Sequence, residues 1–110
     1  MASDREYLDF ILGQLSELGG ISHRPMMGEF LLYYRGRLFG GIYDNRLLVK
    51  PTQAALDYLR NATLEPPYPG AKEMAVVDDA DDREYLAGLI EAICPELPEP
   101  SRKRRSHRRK

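Results

Sequence analysis

The chain has 110 residues, 43% of them hydrophobic and 30% charged, which is the size and composition of one globular domain. Its charge is uneven. Residues 101–110 hold seven of the 16 basic residues and no acid, leaving nine basic against all 17 acidic residues in 1–100, a net of −8 joined to a tail of +7. Collagen, coiled-coil and disulfide-framework classes are excluded, and a single cysteine, Cys94, can form no internal disulfide.

Ser3-Asp4-Arg5-Glu6 fits a capping box, with Ser3 as the N-cap and Glu6 reaching back to it. Behind it Leu8, Ile11, Leu12, Leu15 and Leu18 form one apolar stripe, so the spacing predicts a helix over 4–18. Gly19-Gly20 supplies its left-handed stop. From Gly28 to Lys50 the runs GEFLLYY, RLFGGIY and RLLVK predict three antiparallel strands in a meander. Arg35-Gly36 and Asp44-Asn45 separate them, because Gly36 and Asn45 accept the positive φ of tight hairpin turns. Arg46 allows the second turn to be one residue longer.

Pro51-Thr52 breaks the sheet and offers an N-cap for a short helix through QAALDYLRNA. Three prolines in Glu65–Gly70 predict a stiff surface connector, since proline donates no amide bond. KEMAVV, residues 72–77, reads as a fourth strand. Asp78, Asp79, Asp81 and Asp82 then precede a helical stripe of Tyr85, Leu86, Leu89, Ile90 and Ile93 that Pro95 ends. The expected fold is α+β: a two-layer domain with an antiparallel sheet of four strands or slightly more and three helices, in the order α-β-β-β-α-β-α. Residues 1–100 form the domain and 101–110 a disordered basic tail.

The chemistry of catalysis is sparse. His23, His107 and Cys94 do not make a zinc set, and no other cofactor motif is present. Cys94 continues an apolar stripe and reads as packing rather than as a nucleophile. The aspartate run lacks the glycine and closing glutamate of a calcium loop, and carboxylates there suit the helix dipole. Gly40-Gly41 is not followed by the Lys-Ser/Thr of a phosphate loop, so it marks a bulge or close packing. No acid–base, nucleophile or metal constellation remains, and the chain is expected not to be an enzyme.

Binding is better supported. Arg24, held extended beside Pro25, is a candidate for an anion or a partner carboxylate, and Lys50 at a strand end is another. Phe30–Tyr34 and Leu47–Val49 are apolar on both faces, more than three modest helices cover. A homodimer through Leu31, Tyr33 and Tyr43 follows as an expectation. The tail residues Arg102, Lys103, Arg104, Arg105, Arg108, Arg109 and Lys110 form a polycation suited to weak, non-specific, salt-dependent nucleic-acid contact. MASDREYLDF is not a secretory signal and no apolar run is long enough to span a bilayer, so a cytoplasmic protein without membrane contact is expected.

Ile21–Thr52 resembles the N-terminal domain of the TfoX/Sxy family of bacterial competence regulators. The resemblance rests on Arg24-Pro25-Met26-Met27-Gly28, then Gly36 and Phe39, then Arg46, Leu47 and Lys50. Met27 stands where phenylalanine is usual, and Glu29 where a second glycine is common. Tyr68–Lys72 and Leu97–Pro100 resemble the short, stand-alone branch, which lacks the separate C-terminal domain. The resemblance implies a fold similar to secretion-chaperone-like domains. It also implies a regulatory or adaptor role through protein contacts, with a transcription regulator as one such partner.

Overall fold

A computed structural model describes residues 3–60, 62–78 and 80–97. The chain opens with helix α1 (Arg5–Gln14), and a four-strand meander follows: β1 (Ile21–Met26), β2 (Glu29–Tyr34), β3 (Arg37–Ile42) and β4 (Leu47–Val49). Helix α2 (Gln53–Leu59), strand β5 (Thr63–Glu65), strand β6 (Met74–Val76) and helix α3 (Arg83–Ile93) complete it, with a 3-10 turn at Cys94–Glu96. The six strands form one antiparallel sheet in the order β1-β2-β3-β4-β6-β5.

The meander is built by three two-residue turns, each with two successive positive φ values. They are Met27 and Gly28 (51° and 87°), Arg35 and Gly36 (55° and 80°), and Asp44 and Asn45 (55° and 57°). This backbone twist matches that of the flanking strands. The third turn is tight: Tyr43 and Arg46 exchange both backbone hydrogen bonds, at 2.9 and 3.1 Å. The longer turn through Arg46 does not form. Two strands exceed the expected order, β1 and β5, and the sheet is larger for that reason.

Three local expectations are corrected. The capping box does not form: Asp4 is the N-cap of α1 and makes no side-chain capping bond. Ser3 instead donates its hydroxyl to Glu29 at 2.6 Å and accepts the Asn45 amide at 3.0 Å, which pins the start of α1 to two turns of the meander. Helix α1 ends at Gln14, not 18, and loose turns carry Leu15 and Leu18 onto the core before Gly19 and Gly20 at φ 67° and 78°. Helix α2 ends at Leu59, because Arg60 takes φ 61° and breaks the helical path. Its N-cap is as expected, Thr52 accepting the Ala55 amide at 3.1 Å. Asp82 likewise caps α3, accepting the Tyr85 amide at 3.1 Å.

All three helices feed a single core. Leu8, Ile11 and Leu15 of the first segment meet Leu86, Leu89, Ile90 and Ile93 of α3, together with Ala55 of α2. From the sheet come Leu32, Tyr34, Phe39, Ile42, Leu47, Val49 and Ala75. Phe39 is an extra residue on β3: the pairing passes from Leu32–Gly40 to Tyr33–Leu38, and this bulge lets Phe39 join the core. Cys94 is partly buried against the same core.

Alternation then fixes the other face of the sheet. It carries Ser22, Arg24, Met26, Leu31, Tyr33, Leu38, Gly41, Tyr43, Leu48 and Lys50. Leu48 and Tyr43 are buried there without belonging to the helix-backed core. The proline-rich connector lies beside Tyr43, whose ring neighbours that of Tyr68, while Leu48 sits between Gly41 and Val76 in the sheet.

Candidate functional site

The helix-free face divides in two. Over β3, β4 and β6 lies a cavity of about 340 Å³ whose roof is the connector, with Pro67 buried and Tyr68 about half exposed. Tyr43 forms part of its wall and is only 5% exposed. Its ring stands 6.2 Å from that of Tyr68, tilted by 53°. The Tyr43 ring can lie this low because it rests on Gly41, where a Cβ would come within 2.8 Å of it. Burial pushes the Tyr43 hydroxyl above its ordinary pKa of 10.0, and Tyr68, Glu29 and Tyr33 add to the shift. Lys50 reaches the same cavity from the end of β4, and Lys72 from the connector.

Among the described residues no helix covers the face over β1 and β2. Arg24 is exposed and lies opposite Leu31, while exposed Ser22 lies opposite Tyr33. Leu31 and Tyr33 are half-buried. The Arg24 guanidinium has no hydrogen bond or ion pair among the described residues. Met27, at the tip of the first hairpin, is 95% exposed.

Of the residues singled out from sequence, Lys50 and Tyr43 meet in the cavity, and Arg24, Leu31 and Tyr33 form the strip on β1 and β2. Tyr43 is buried beside the connector while Leu31 and Tyr33 are half-buried, and Tyr33 is near enough to act on the Tyr43 hydroxyl. Arg102, Lys103, Arg104, Arg105, Arg108, Arg109 and Lys110 lie outside the described residues. Sequence reasoning missed Tyr68, Lys72, Leu38 and Met74, which complete the cavity. One signal could have found one of them, Lys72: with Lys50 it makes up all the lysines in residues 1–100. Among the described residues no three histidine, cysteine or acidic side chains gather as a metal site, and no helix is long and apolar enough to cross a membrane.

These features define a small α+β domain whose described helices back one face of an antiparallel sheet. The family model described as the TfoX N-terminal domain matches residues 13–90, and the chain belongs to that family. The family supports a regulator-like domain. An uncharacterized 12.7 kDa protein in the trpE 5' region of Spirochaeta aurantia is 34% identical over 101 residues, which span 91% of this chain and 88% of that protein. No solved structure matches the chain significantly.

Proposed function

We propose that the protein is a non-enzymatic regulatory or adaptor domain that holds another protein chain on the helix-free face of β1 and β2. The observation that carries this reading is the strip itself. Arg24 and Leu31 sit side by side on a sheet surface where, among the described residues, no helix lies and the guanidinium is unpaired. An unpaired arginine beside partly exposed apolar and aromatic side chains is the composition of a protein-binding patch. Arg24 also belongs to the motif that carries the family resemblance, within the matched residues 13–90.

A second copy of the chain is one occupant, and a transcription regulator another. Light scattering at micromolar concentration distinguishes a dimer from a monomer. Crosslinking in the native cell, followed by recovery of the full chain, identifies other partners. An Arg24→Glu, Leu31→Asp variant with unchanged thermal midpoint should lose the crosslinked species. If the variant keeps them at wild-type yield, this face is not the contact. The tail supplies a separate nucleic-acid reading. A duplex-DNA titration of the full chain and of a chain ending at Pro100 tests it, with salt dependence expected only for the former.

A further inference from the structure

Residues 1–100 carry a net charge of −8 and only two lysines, yet both lysines line one cavity. Lys50 arrives from the end of β4 and Lys72 from the connector, so two separate chain segments converge to bring them there. Neither ammonium has an ion-pair or hydrogen-bond partner among the described residues. Glu73 also lines the cavity and Glu29 acts on Tyr43, so the two ammoniums are the cations set against these carboxylates.

Tyr43 supplies a second, independent feature. It is 95% buried by exposure, it faces this cavity, and its hydroxyl has no hydrogen-bond partner among the described residues. A buried donor without an acceptor is uncommon, and a ligand is one way to satisfy it. Burial raises its pKa, so the hydroxyl keeps its proton at neutral pH and is available to donate. The remaining walls are apolar, with Leu38, Pro51, Pro67 and Met74 among them. The volume of about 340 Å³ falls within the range of small-molecule sites, which combine apolar walls with a few convergent polar groups.

We propose that this cavity binds a small organic carboxylate with a flat apolar body, its carboxylate held by Lys50, Lys72 and the Tyr43 hydroxyl. The apolar body packs against Leu38, Met74 and the Tyr68 ring. Two ammoniums match the two oxygens of one carboxylate. A phosphate dianion is disfavoured, because among the described residues neither an arginine nor a helix N-terminus lines the cavity. The inference does not rest on the protein-contact reading, which uses Arg24 and Leu31 on the other half of the sheet.

The test is a titration of the full chain with 2-naphthoate and with its neutral isostere 2-naphthamide, followed by NMR of the tyrosine rings. Naphthoate should bind about tenfold more tightly than the amide and shift the Tyr43 and Tyr68 ring signals. Lys50→Gln and Lys72→Gln should each weaken naphthoate severalfold and leave the amide unchanged, and Tyr43→Phe should act in the same direction. An N-acetylated tripeptide ending in phenylalanine serves as a third probe. If it binds more tightly than naphthoate, the carboxylate belongs to a chain terminus and the small-acid proposal is overturned. Equal affinity for acid and amide, no binding of either at millimolar concentration, or undiminished naphthoate binding by the Lys50→Gln, Lys72→Gln double variant also overturns it.

Discussion

The Tyr58 hydroxyl occupies the place where a Cβ on Gly88 would stand, 2.3 Å away, and donates a 3.1 Å hydrogen bond to the Tyr85 carbonyl. Helices α2 and α3 meet through this contact, and the Tyr58 and Tyr85 rings lie 5.1 Å apart beside it. An alanine inside a helix normally gains about 1 kcal/mol over glycine. At position 88 the gain should be reversed. Gly88→Ala is expected to cost about 1–2 kcal/mol, because the phenol must move and forfeit its bond. In a Tyr58→Phe background the cost should shrink, and a double-mutant cycle by urea unfolding measures the difference. Equal costs in both backgrounds would remove Tyr58 as the cause.

Ser3 joins α1 to the meander. Its hydroxyl donates to the Glu29 carboxylate at 2.6 Å and accepts the Asn45 amide at 3.0 Å, and Asn45 in turn accepts the Asp4 amide at 2.8 Å. Ser3→Ala removes a charge-assisted bond and leaves an amide unpaired at once. The expected loss is about 1–2 kcal/mol, or several degrees in thermal midpoint for a domain of this size. Calorimetry checks it. Ser3→Thr, which keeps the hydroxyl, should recover most of the loss.

Gly41 forms the seat of Tyr43. A Cβ there would approach the Phe30 carbonyl oxygen to 2.7 Å and the Tyr43 ring to 2.8 Å. The carbonyl belongs to the paired neighbouring strand and cannot withdraw, so Gly41→Ala should cost about 2 kcal/mol or more. The surviving folded protein should also show altered near-ultraviolet circular dichroism as the Tyr43 ring is displaced.

High pH should weaken the fold. The pKa of Tyr43 is raised above 10.0 in the folded chain, chiefly by burial, and that of Tyr7 is raised by burial alone. The unfolded chain therefore loses these protons first. Stability should be insensitive to the two groups below about pH 10 and fall as pH rises from there toward their folded-state values. Denaturant unfolding across that window should show a shallower decline for Tyr43→Phe than for the wild type. An unchanged slope would place the sensitivity elsewhere.

The helices, the central strands and the connector were legible because periodicity, caps and proline are local signals. Strand β1 was not, since Pro25 argues against a strand and Met27 does not advertise the left-handed turn that it adopts at φ 51°. The capping box misled for a tertiary reason: Ser3 had better partners in Glu29 and Asn45, far away in the chain. Of the cavity, Lys50 and Tyr43 were visible. Pro67, Tyr68 and Lys72 join them only where the connector folds back, and no local pattern specifies that.

Pro25 also determines how the sheet can end. A hairpin closed by a two-residue turn exchanges both bonds at its closing pair, as Tyr43 and Arg46 do, so Met26 and Glu29 are the bonded pair and position 25 points its nitrogen outward. That nitrogen is the proline's and carries no hydrogen. The outermost strand thus offers an incomplete ladder to any neighbour, and the opposite rim, β5, is three residues long. Lateral stacking of copies into ribbons is disfavoured at both rims.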